Sequence, residues 1–190
     1  DKFLKSIVSF DDVCSYCLTE PGSGSDAAAL KTKATITNEG YSLNGSKSFI
    51  SGGGFSDLYV VLCRTGDQTP NGISMVLVED GQNGLSFGKK EQKMGWKAQP
   101  TAIVQFDNCS IPATNLVGEE GAGFKYAMEG LDGGRLNIAA ASLGGAQKSY
   151  EIAKAYSKER SAFGKPISKF QSIEFKLADM ATQLESARLF

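Results

Sequence analysis

The spacing of apolar residues along the chain changes twice. One helical face collects the apolar residues of the first ten positions, namely Phe3, Leu4, Ile7 and Val8, and this spacing predicts the tail of a helix. From about Cys14 to Ile111 the apolar residues form short runs rich in β-branched side chains and separated by glycine-rich turns, which indicates strands. After Pro112 the spacing becomes helical again.

The middle stretch predicts an antiparallel β-sandwich or barrel domain. Its candidate strands are short apolar runs, at Leu58–Cys63, Ile73–Val78, Leu85–Phe87 and Thr101–Phe106. The dipeptide Asn44-Gly45 is a strong hairpin signal and predicts a turn between two short strands within Tyr41–Ser51. Short strands at this spacing, without intervening helices, favour an antiparallel arrangement.

The last stretch predicts two helices of a bundle. From Glu119 to about Lys158 the main helix breakers are two glycine pairs, Gly133-Gly134 and Gly144-Gly145. Each glycine costs a helix about 1 kcal/mol, so a helix that keeps them uses them for close packing or ligand approach. After Lys165-Pro166, apolar residues step by three and four in a bundle-type seam: Phe170, Ile173, Leu177, Met180, Leu184 and Ala187. The seam still runs at Phe190, so we expect further helices beyond it.

Composition narrows the possible functions. The 190 residues are 41% hydrophobic and 22% charged, which excludes a wholly disordered chain. The 20 basic and 21 acidic side chains nearly cancel, so no nucleic acid binding is expected. No apolar run approaches the ~20 residues of a membrane helix, so no membrane span is expected. Histidine is absent, which excludes Ser-His and Cys-His catalysis and most zinc sites in this stretch, and we expect no metal.

The four cysteines, Cys14, Cys17, Cys63 and Cys109, predict buried or half-buried thiols in a reducing compartment. Cys14 and Cys17 have C-x-x-C spacing, but a redox or zinc site needs a second half-site or a thioredoxin-like strand–helix setting, and the sequence indicates neither. No signal or transit peptide is visible. Asp1 is not a natural start, so we expect the chain to be a piece of a longer protein.

A glycine-rich segment, Tyr16–Asp26, is the main candidate for binding chemistry. Gly22 and Gly24 allow backbone N–H groups to converge on an anion, Ser25 adds a hydroxyl, and Thr19 could donate to a ring carbonyl. The alternative is an ordinary turn between a helix and a strand. A dinucleotide-binding fingerprint is excluded because no strand is expected before the segment and G-x-G-x-x-G is absent, and a P-loop is excluded because no Gly-Lys-Ser/Thr closes it.

This segment resembles, nearly letter for letter, the acyl-CoA dehydrogenase family signature, whose usual form is close to Y-C-x-T-E-P-x-x-G-S-D. Three further segments resemble family motifs in the same order: Asn44–Ser51, Leu131–Arg135, and Glu159–Ile167 with Phe170-Gln171. The resemblance covers almost the whole chain and implies an α+β fold. Its parts would be the end of an N-terminal helical domain at residues 1–12, a middle β domain at 13–115, and the first two helices of a C-terminal four-helix bundle at 116–190.

The resemblance implies noncovalent binding of FAD. The residues that would line the cofactor are Tyr16, Cys17, Leu18, Thr19, Gly22, Gly24, Ser25, Phe49, Ile50 and Ser51. Thr19 would hydrogen-bond the pyrimidine end of the ring, and Leu18 would pack against the ring or the thioester. Gly24 and Ser25 would approach the pyrophosphate and the CoA arm.

Two residues of this set would meet the reactive part of the flavin. Phe49 would cover one face of the ring, where many members have Trp; from its pattern alone it would be a core aromatic. The Ser51 hydroxyl would bond flavin N5, the atom that receives the hydride, because the cofactor carries that chemistry.

A second group of residues would reach the adenine side of an FAD held mainly by a neighbouring subunit: Arg160, Phe163, Phe170 and Gln171. Arg160 would meet phosphate. The alternative is a basic helix end that favours the helix dipole. The resemblance therefore implies that cofactor binding is coupled to oligomerisation, with a homotetramer expected.

The resemblance places the acyl-CoA substrate on the long helix. Asp132, Gly133, Gly134 and Arg135 fall at family positions that contact the CoA arm, together with Ser25. The fixed donor fork of Arg135 suits an anionic ligand. The alternative is a solvated helix charge in a structural ion pair.

No catalytic base is assigned within the chain. The reaction removes a proton α to the thioester and needs a carboxylate there. Some branched-chain members of the family carry that Glu at the position of Gly134, and most carry it much later, so we expect it downstream of Phe190. Glu20 is a tempting substitute, but the resemblance assigns it to the scaffold of the loop.

The finer resemblance concerns the substrate. The Gly133-Gly134 pair, Phe49–Ser51 and Ser86–Trp96 are most similar to family members that act on isobutyryl-CoA in valine breakdown. Electrons would pass to electron-transfer flavoprotein, in the mitochondrial matrix of a eukaryote or the cytoplasm of a bacterium. The alternatives are another short-chain or 2-methyl-branched acyl-CoA dehydrogenase, a non-catalytic relative, or a degraded fragment without an enzymatic role.

Overall fold

The computed structural model describes residues 3–190 in two units, one ending at Glu129 and one comprising Gly130–Phe190. Helix α1 (Leu4–Ser9) lies in the predicted N-terminal helical stretch and ends where Phe10 takes the left-handed conformation. The part of that prediction that concerns Asp1 and Lys2 lies outside the described residues. No helix among residues 3–190 is long and apolar enough to cross a membrane.

A curled, seven-stranded sheet forms most of the first unit. Its strands are β1 (Cys14–Cys17), β2 (Lys33–Thr37), β3 (Gly40–Ser51), β4 (Leu58–Arg64), β5 (Ile73–Glu79), β6 (Leu85–Phe87) and β7 (Thr101–Pro112). The order is β1-β4-β2-β3-β7-β6, and β5 pairs with β4. The predicted β domain is confirmed, but the sheet is mixed, since β1 and β2 both run parallel to β4. No hairpin joins these strands, so turn signals do not fix their relative direction.

The predicted turn at Asn44-Gly45 is wrong. Strand β3 runs straight through both residues, and the hairpin from β2 turns earlier, between Thr37 and Gly40. Gly45 is needed for a close approach instead, because a Cβ there would lie 2.7 Å from the Cα of Thr32. Asn44 accepts a hydrogen bond from the backbone N–H of Asn108 at 2.8 Å, where β7 carries an extra residue.

One apolar cluster fills the inside of the sheet. It comprises Cys17, Ala34, Tyr41, Leu43, Ile50, Tyr59, Val61, Cys63, Val76, Val78, Val104, Phe106, Cys109 and Ile111. The prediction of buried or half-buried thiols is confirmed: all four are free, three buried and Cys14 half-buried. Burial raises the pKa of Cys17 and of Cys63 to about 12, so both thiols are neutral near pH 7.

Two helices and a small hairpin dominate the rest of the chain. Helix α2 (Gly123–Glu159) keeps both glycine pairs, strands β8 (Ser161–Ala162) and β9 (Lys165–Pro166) form the hairpin, and helix α3 (Gln171–Leu189) follows. Of the predicted seam only Leu184 is buried; the others are half-buried or exposed. An apolar groove of about 810 Å³ lies along this seam, with Leu136, Leu143, Tyr150, Met180 and Leu184 among its lining residues.

Candidate functional site

The glycine-rich segment begins at the end of a strand. Strand β1 ends at Cys17, so the expectation that no strand precedes the segment is wrong; four residues were too few to give a clear alternating pattern. The segment runs into a three-residue 3₁₀ turn at Ala27–Ala29 instead of a helix. A dinucleotide-binding fingerprint therefore remains excluded, since the strand–loop–helix unit and the glycine spacing are both missing.

The loop is held closed at its base and open at its tip. Glu20 and Ser23 exchange backbone hydrogen bonds of 2.9 and 3.2 Å, and the Ser23 hydroxyl donates to the carbonyl of Asp26 at 2.7 Å. Gly22 and Gly24 are exposed, and a Cβ built on either would meet no atom within 4 Å. The backbone at the tip is therefore accessible to a ligand, as a phosphate-binding loop requires.

Phe49 lies in a bulge of β3 and faces solvent. Two residues, Ser48 and Phe49, oppose the single residue Ile103 of β7 between the pairs Lys47–Val104 and Ile50–Ala102. Phe49 has φ of +58° and its side chain is 69% exposed. A bulky residue in the left-handed region is strained by about 1–3 kcal/mol. Strain and apolar exposure together favour a binding role over the core aromatic that its pattern suggested.

Two hydrogen bonds bring the loop and β3 together. The backbone N–H of Ser48 donates to the carbonyl of Thr19 at 2.8 Å. The hydroxyl of Ser15, on β1, donates to the carbonyl of Ser51 at 2.6 Å. The structure thus brings Thr19 together with Phe49 and Ser51 at one surface, although the loop and β3 are far apart in sequence.

Several predicted cofactor residues have buried side chains. Cys17 and Ile50 belong to the core cluster, so they can reach a ligand only through their backbone, and Leu18 is buried as well. Tyr16 remains partly exposed, and its hydroxyl donates to the carbonyl of Ala127 at 3.5 Å. Burial raises the pKa of Tyr16 to about 12, so the phenol stays protonated at physiological pH.

Glu20 is paired with a lysine that the sequence reasoning missed. The Lys47 ammonium lies 2.8 Å from Glu20 Oε1, with the lysine side chain 0% exposed and Glu20 8% exposed. Burial alone would raise the pKa of Glu20, but the Lys47 charge and several hydrogen bonds hold it below its ordinary value. Glu20 is therefore an ionised, sequestered carboxylate. One signal was available: Tyr41, Leu43 and Lys47 share the two-residue period of one strand face.

The predicted substrate residues form an exposed cluster on α2. Arg135 donates to the carboxylate of Asp132, three residues earlier, and both side chains are largely solvated. Gly133 and Gly134 lie between them, and a Cβ on either would meet no atom within 4 Å. The helix surface next to the Arg135 guanidinium therefore carries no bulky side chain at these two positions.

The predicted adenine-side residues cluster around the β8–β9 hairpin. Phe163, at its turn, has φ of +52° and is 96% exposed, and its ring meets that of Phe170 edge-on at 6.2 Å. The Arg160 carbonyl accepts a hydrogen bond from the N–H of Ile167 at 2.8 Å, and Arg160, directly after α2, is exposed. Gln171 is exposed at the start of α3.

Comparisons with known proteins identify the family of the chain. The family model "acyl-CoA dehydrogenase, middle domain" matches residues 15–109, and "acyl-CoA dehydrogenase, C-terminal domain" matches residues 121–190. Mitochondrial isobutyryl-CoA dehydrogenase of Dictyostelium discoideum is 55% identical over 189 residues, which are 99% of this chain and 45% of that protein.

Two solved structures share the fold and are similar in sequence. Butyryl-CoA dehydrogenase from Megasphaera elsdenii has a TM-score of 0.95 at 48% identity, over 98% of this chain and 49% of that one. PigA, solved with FAD and proline, has a TM-score of 0.95 at 32% identity, over 100% of this chain and 50% of that one. The chain spans about half the length of the relatives it matches.

Proposed function

Since the chain belongs to the acyl-CoA dehydrogenase family, we propose that the full-length protein is an FAD-dependent dehydrogenase of a short branched acyl-CoA thioester, with isobutyryl-CoA as the preferred substrate. The observation that carries the proposal is the surface on which Thr19 and Phe49–Ser51 meet. It joins a hydrogen-bonding side chain, a strained exposed aromatic ring and an accessible serine.

The residues on this surface fit a flavin. A flat ring system needs an apolar cover and polar groups at its edge, and the exposed Phe49 ring and the Thr19 and Ser51 side chains supply these. Fixing the bulge at Phe49 before the ligand arrives lowers the ordering cost of binding. The apolar body of Leu18 lies next to Thr19 in the chain and completes that side of the site.

The charged part of the cofactor is matched by two groups. Gly22 and Gly24 leave the loop backbone open, and the Ser25 hydroxyl is exposed beside them, which suits a pyrophosphate. We assign Arg160, Phe163, Phe170 and Gln171 to the adenine side of a cofactor held mainly by another subunit. Phe163 supports this, since an aromatic side chain that is both strained and 96% exposed gains most from a partner.

When bound, FAD would supply the acceptor for the hydride that leaves the β carbon of the acyl group. Ser51 would orient the accepting edge of the ring, and Phe49 would exclude water from one face. The proton on the α carbon needs a carboxylate, and Glu20 is unsuited to that role because both its oxygens accept hydrogen bonds from the protein and its pKa is lowered. We place the base in the part of the full-length protein that follows Phe190.

We assign contacts with the CoA arm to Asp132, Gly133, Gly134 and Arg135 and, from the family resemblance, to Ser25. Arg135 is a solvated cation beside bare glycine backbone, so an anionic ligand can reach it without displacing bulky side chains. The 55% identity to a mitochondrial isobutyryl-CoA dehydrogenase favours a branched acyl group. A straight short-chain substrate is the second candidate, favoured by the 48% identity to butyryl-CoA dehydrogenase.

The remaining assignments follow from the family. We propose electron-transfer flavoprotein as the electron acceptor and a homotetramer as the assembly, because the exposed Phe163 hairpin fits a cofactor shared between subunits. The location would be the mitochondrial matrix if the source is a eukaryote, in agreement with the mitochondrial name of the Dictyostelium relative, and the cytoplasm if it is bacterial.

Anaerobic reduction of the flavin tests the proposal. The full-length protein is loaded with FAD and titrated with isobutyryl-CoA and with butyryl-CoA, while the flavin absorbance is followed. We expect both esters to bleach the flavin and isobutyryl-CoA to do so faster. Faster bleaching by butyryl-CoA would favour the straight-chain candidate, and no bleaching by either would favour a non-catalytic relative.

A further inference from the structure

The buried ion pair of Glu20 and Lys47 joins the glycine-rich loop to β3 within the first unit. The site proposed above uses neither side chain as a ligand. Burying a lysine completely carries a large desolvation cost, and Lys47 shows 0% exposure. The hydrogen bonds of Lys47 and Glu20 indicate which parts of the backbone the pair holds in place.

On the loop side, the pair holds the backbone just before the glycines. Lys47 Nζ donates to the carbonyl of Leu18 at 3.1 Å as well as to Glu20. The neighbouring Ser48 N–H donates a hydrogen bond to the carbonyl of Thr19 at 2.8 Å. Two successive carbonyls are thereby turned toward β3, and this fixes the direction in which the Thr19 side chain leaves the backbone.

On the far side of the loop, Glu20 holds the start of β2. Its carboxylate accepts hydrogen bonds from the backbone N–H groups of Lys31 at 2.7 Å and Thr32 at 2.9 Å. The loop that carries Gly22–Ser25 is therefore closed at both ends by one carboxylate. The tip can present its backbone to a ligand without the rest of the loop changing place.

Lys47 also lies two residues before Phe49, at the last regular pair before the bulge. Its ammonium group donates to two oxygens of the loop, the Leu18 carbonyl and Glu20 Oε1, so the side chain ties the strand to the loop. The same two residues that fix Thr19 therefore also hold the strand next to the bulge from which Phe49 points outward.

We propose that Lys47 and Glu20 are positioning residues, which set Thr19 and Phe49 in the cofactor-binding arrangement before the cofactor arrives. The inference rests on the proposed function, since it assumes that Thr19 and Phe49 bind FAD. It adds that the affinity for FAD depends on a buried pair that does not touch the ligand.

A double variant separates positioning from stability. Lys47→Met alone leaves Glu20 charged and unpaired, whereas Glu20→Gln with Lys47→Met removes both charges and should recover part of the thermal stability. The recovery is partial because the amide oxygen of the introduced glutamine can accept from only one of the two backbone N–H groups that bond the two carboxylate oxygens. The double variant still lacks the donor to the Leu18 carbonyl. We therefore expect full-length E20Q/K47M to bind FAD about 10- to 100-fold more weakly than the wild type, with an altered visible flavin spectrum.

Val78→Ala, in the core of β5, is the matched control for lost stability. Strand β5 carries none of the proposed ligand residues, so the control should lose thermal stability while its dissociation constant for FAD stays at the wild-type value. A double variant that folds and binds FAD with wild-type affinity and spectrum would overturn the inference. Failure of the wild-type protein to bind FAD would instead contradict the proposed function.

If the double variant does not fold, hydrogen exchange on the wild type tests whether the pair orders the loop before FAD binds. In the FAD-free full-length protein, the amides of Lys31, Thr32 and Ser48 should already be protected from exchange, because the pair forms without the ligand. Protection that appears only after FAD is added would mean that the cofactor orders the loop, and the inference would be wrong.

Discussion

Each unit carries one ion pair beside its predicted ligand residues, and the two pairs differ in their contact with water. Glu20 and Lys47 are buried and make further hydrogen bonds to backbone groups. Asp132 and Arg135 have side chains 76% and 70% exposed. A buried charge without its partner is very costly, while an exposed pair is screened and weak. The first pair therefore serves as fixed framework, and the second can exchange its partner for an anionic ligand.

The largest expected effect comes from breaking the buried pair. Lys47→Met should reduce the free energy of unfolding by about 3–5 kcal/mol, because it leaves the Glu20 carboxylate buried without its counter-charge. Urea or thermal unfolding of the full-length protein measures this.

The matched control is Lys148→Met, which removes the lysine of an exposed pair with Glu151. It should change stability by no more than about 1 kcal/mol. Equal losses in the two variants would show that burial does not distinguish the pairs.

Phe49→Gly should weaken the binding of FAD without a comparable loss of stability. Glycine accepts φ of +58° without strain, so stability should stay within about 1 kcal/mol of the wild type or rise. Loss of the aromatic cover should weaken FAD binding about 10- to 100-fold, as expected for one large apolar side chain. Phe55→Ala is the control, since Phe55 is 66% exposed but not in the left-handed region. A Phe49→Gly protein with unchanged FAD affinity would contradict the assignment of Phe49.

Arg135→Ala should weaken CoA-ester binding without affecting the fold. A charge-assisted hydrogen bond is worth about 1.5–3 kcal/mol, so the dissociation constant should rise roughly 10- to 150-fold. Turnover at saturation should fall less, because binding energy shared by ground and transition states does not lower the chemical barrier. Titration of the flavin spectrum with a CoA ester measures the affinity. An unchanged affinity would make Asp132 and Arg135 a structural pair of the helix.

The smallest expected effect is a pH dependence of the buried pair. The pKa of Glu20 is lowered in the folded state, so its contribution to stability is fully present above the ordinary value of 4.5 and is lost as the pH falls through the lowered pKa. Besides Lys47, the thiols of Cys17 and Cys63 face the pair, and they remain neutral in this range.

The measurement is the stability difference between the wild type and Glu20→Gln as a function of pH. The advantage of the wild type should be constant near neutrality and should shrink below pH 4.5. An advantage that persists undiminished to pH 2 would mean that Glu20 acts through shape and not through charge.

Much of the fold could be predicted because local spacing reports it. The helical stretch from Glu119 to Lys158 became α2, and the apolar runs from Leu58 and Ile73 became β4 and β5. The direction of β1 against β4 could not be predicted, since no turn joins them. The Asn44-Gly45 dipeptide was misleading, because long-range contacts with Thr32 and Asn108 outweighed its turn preference.

The candidate site was predicted as a list of residues but not as an arrangement. The motif resemblance named Thr19, Phe49 and Ser51, whereas only the structure brings them together through Ser15 and Ser48. Lys47 was missed because a lysine in a strand is usually solvated. The alternation of Tyr41 and Leu43 places Lys47 on the inner face, but the identity of its partner, Glu20, comes only from the structure.

The central claim is that the first unit presents a preformed FAD surface, and equilibrium titration of the FAD-free, full-length protein with FAD tests it most directly. The account predicts saturable binding with a perturbed visible flavin spectrum, and a 10- to 100-fold weaker affinity in E20Q/K47M. A folded, oligomeric wild-type protein that shows no flavin absorbance after FAD is added and the excess is removed would contradict it.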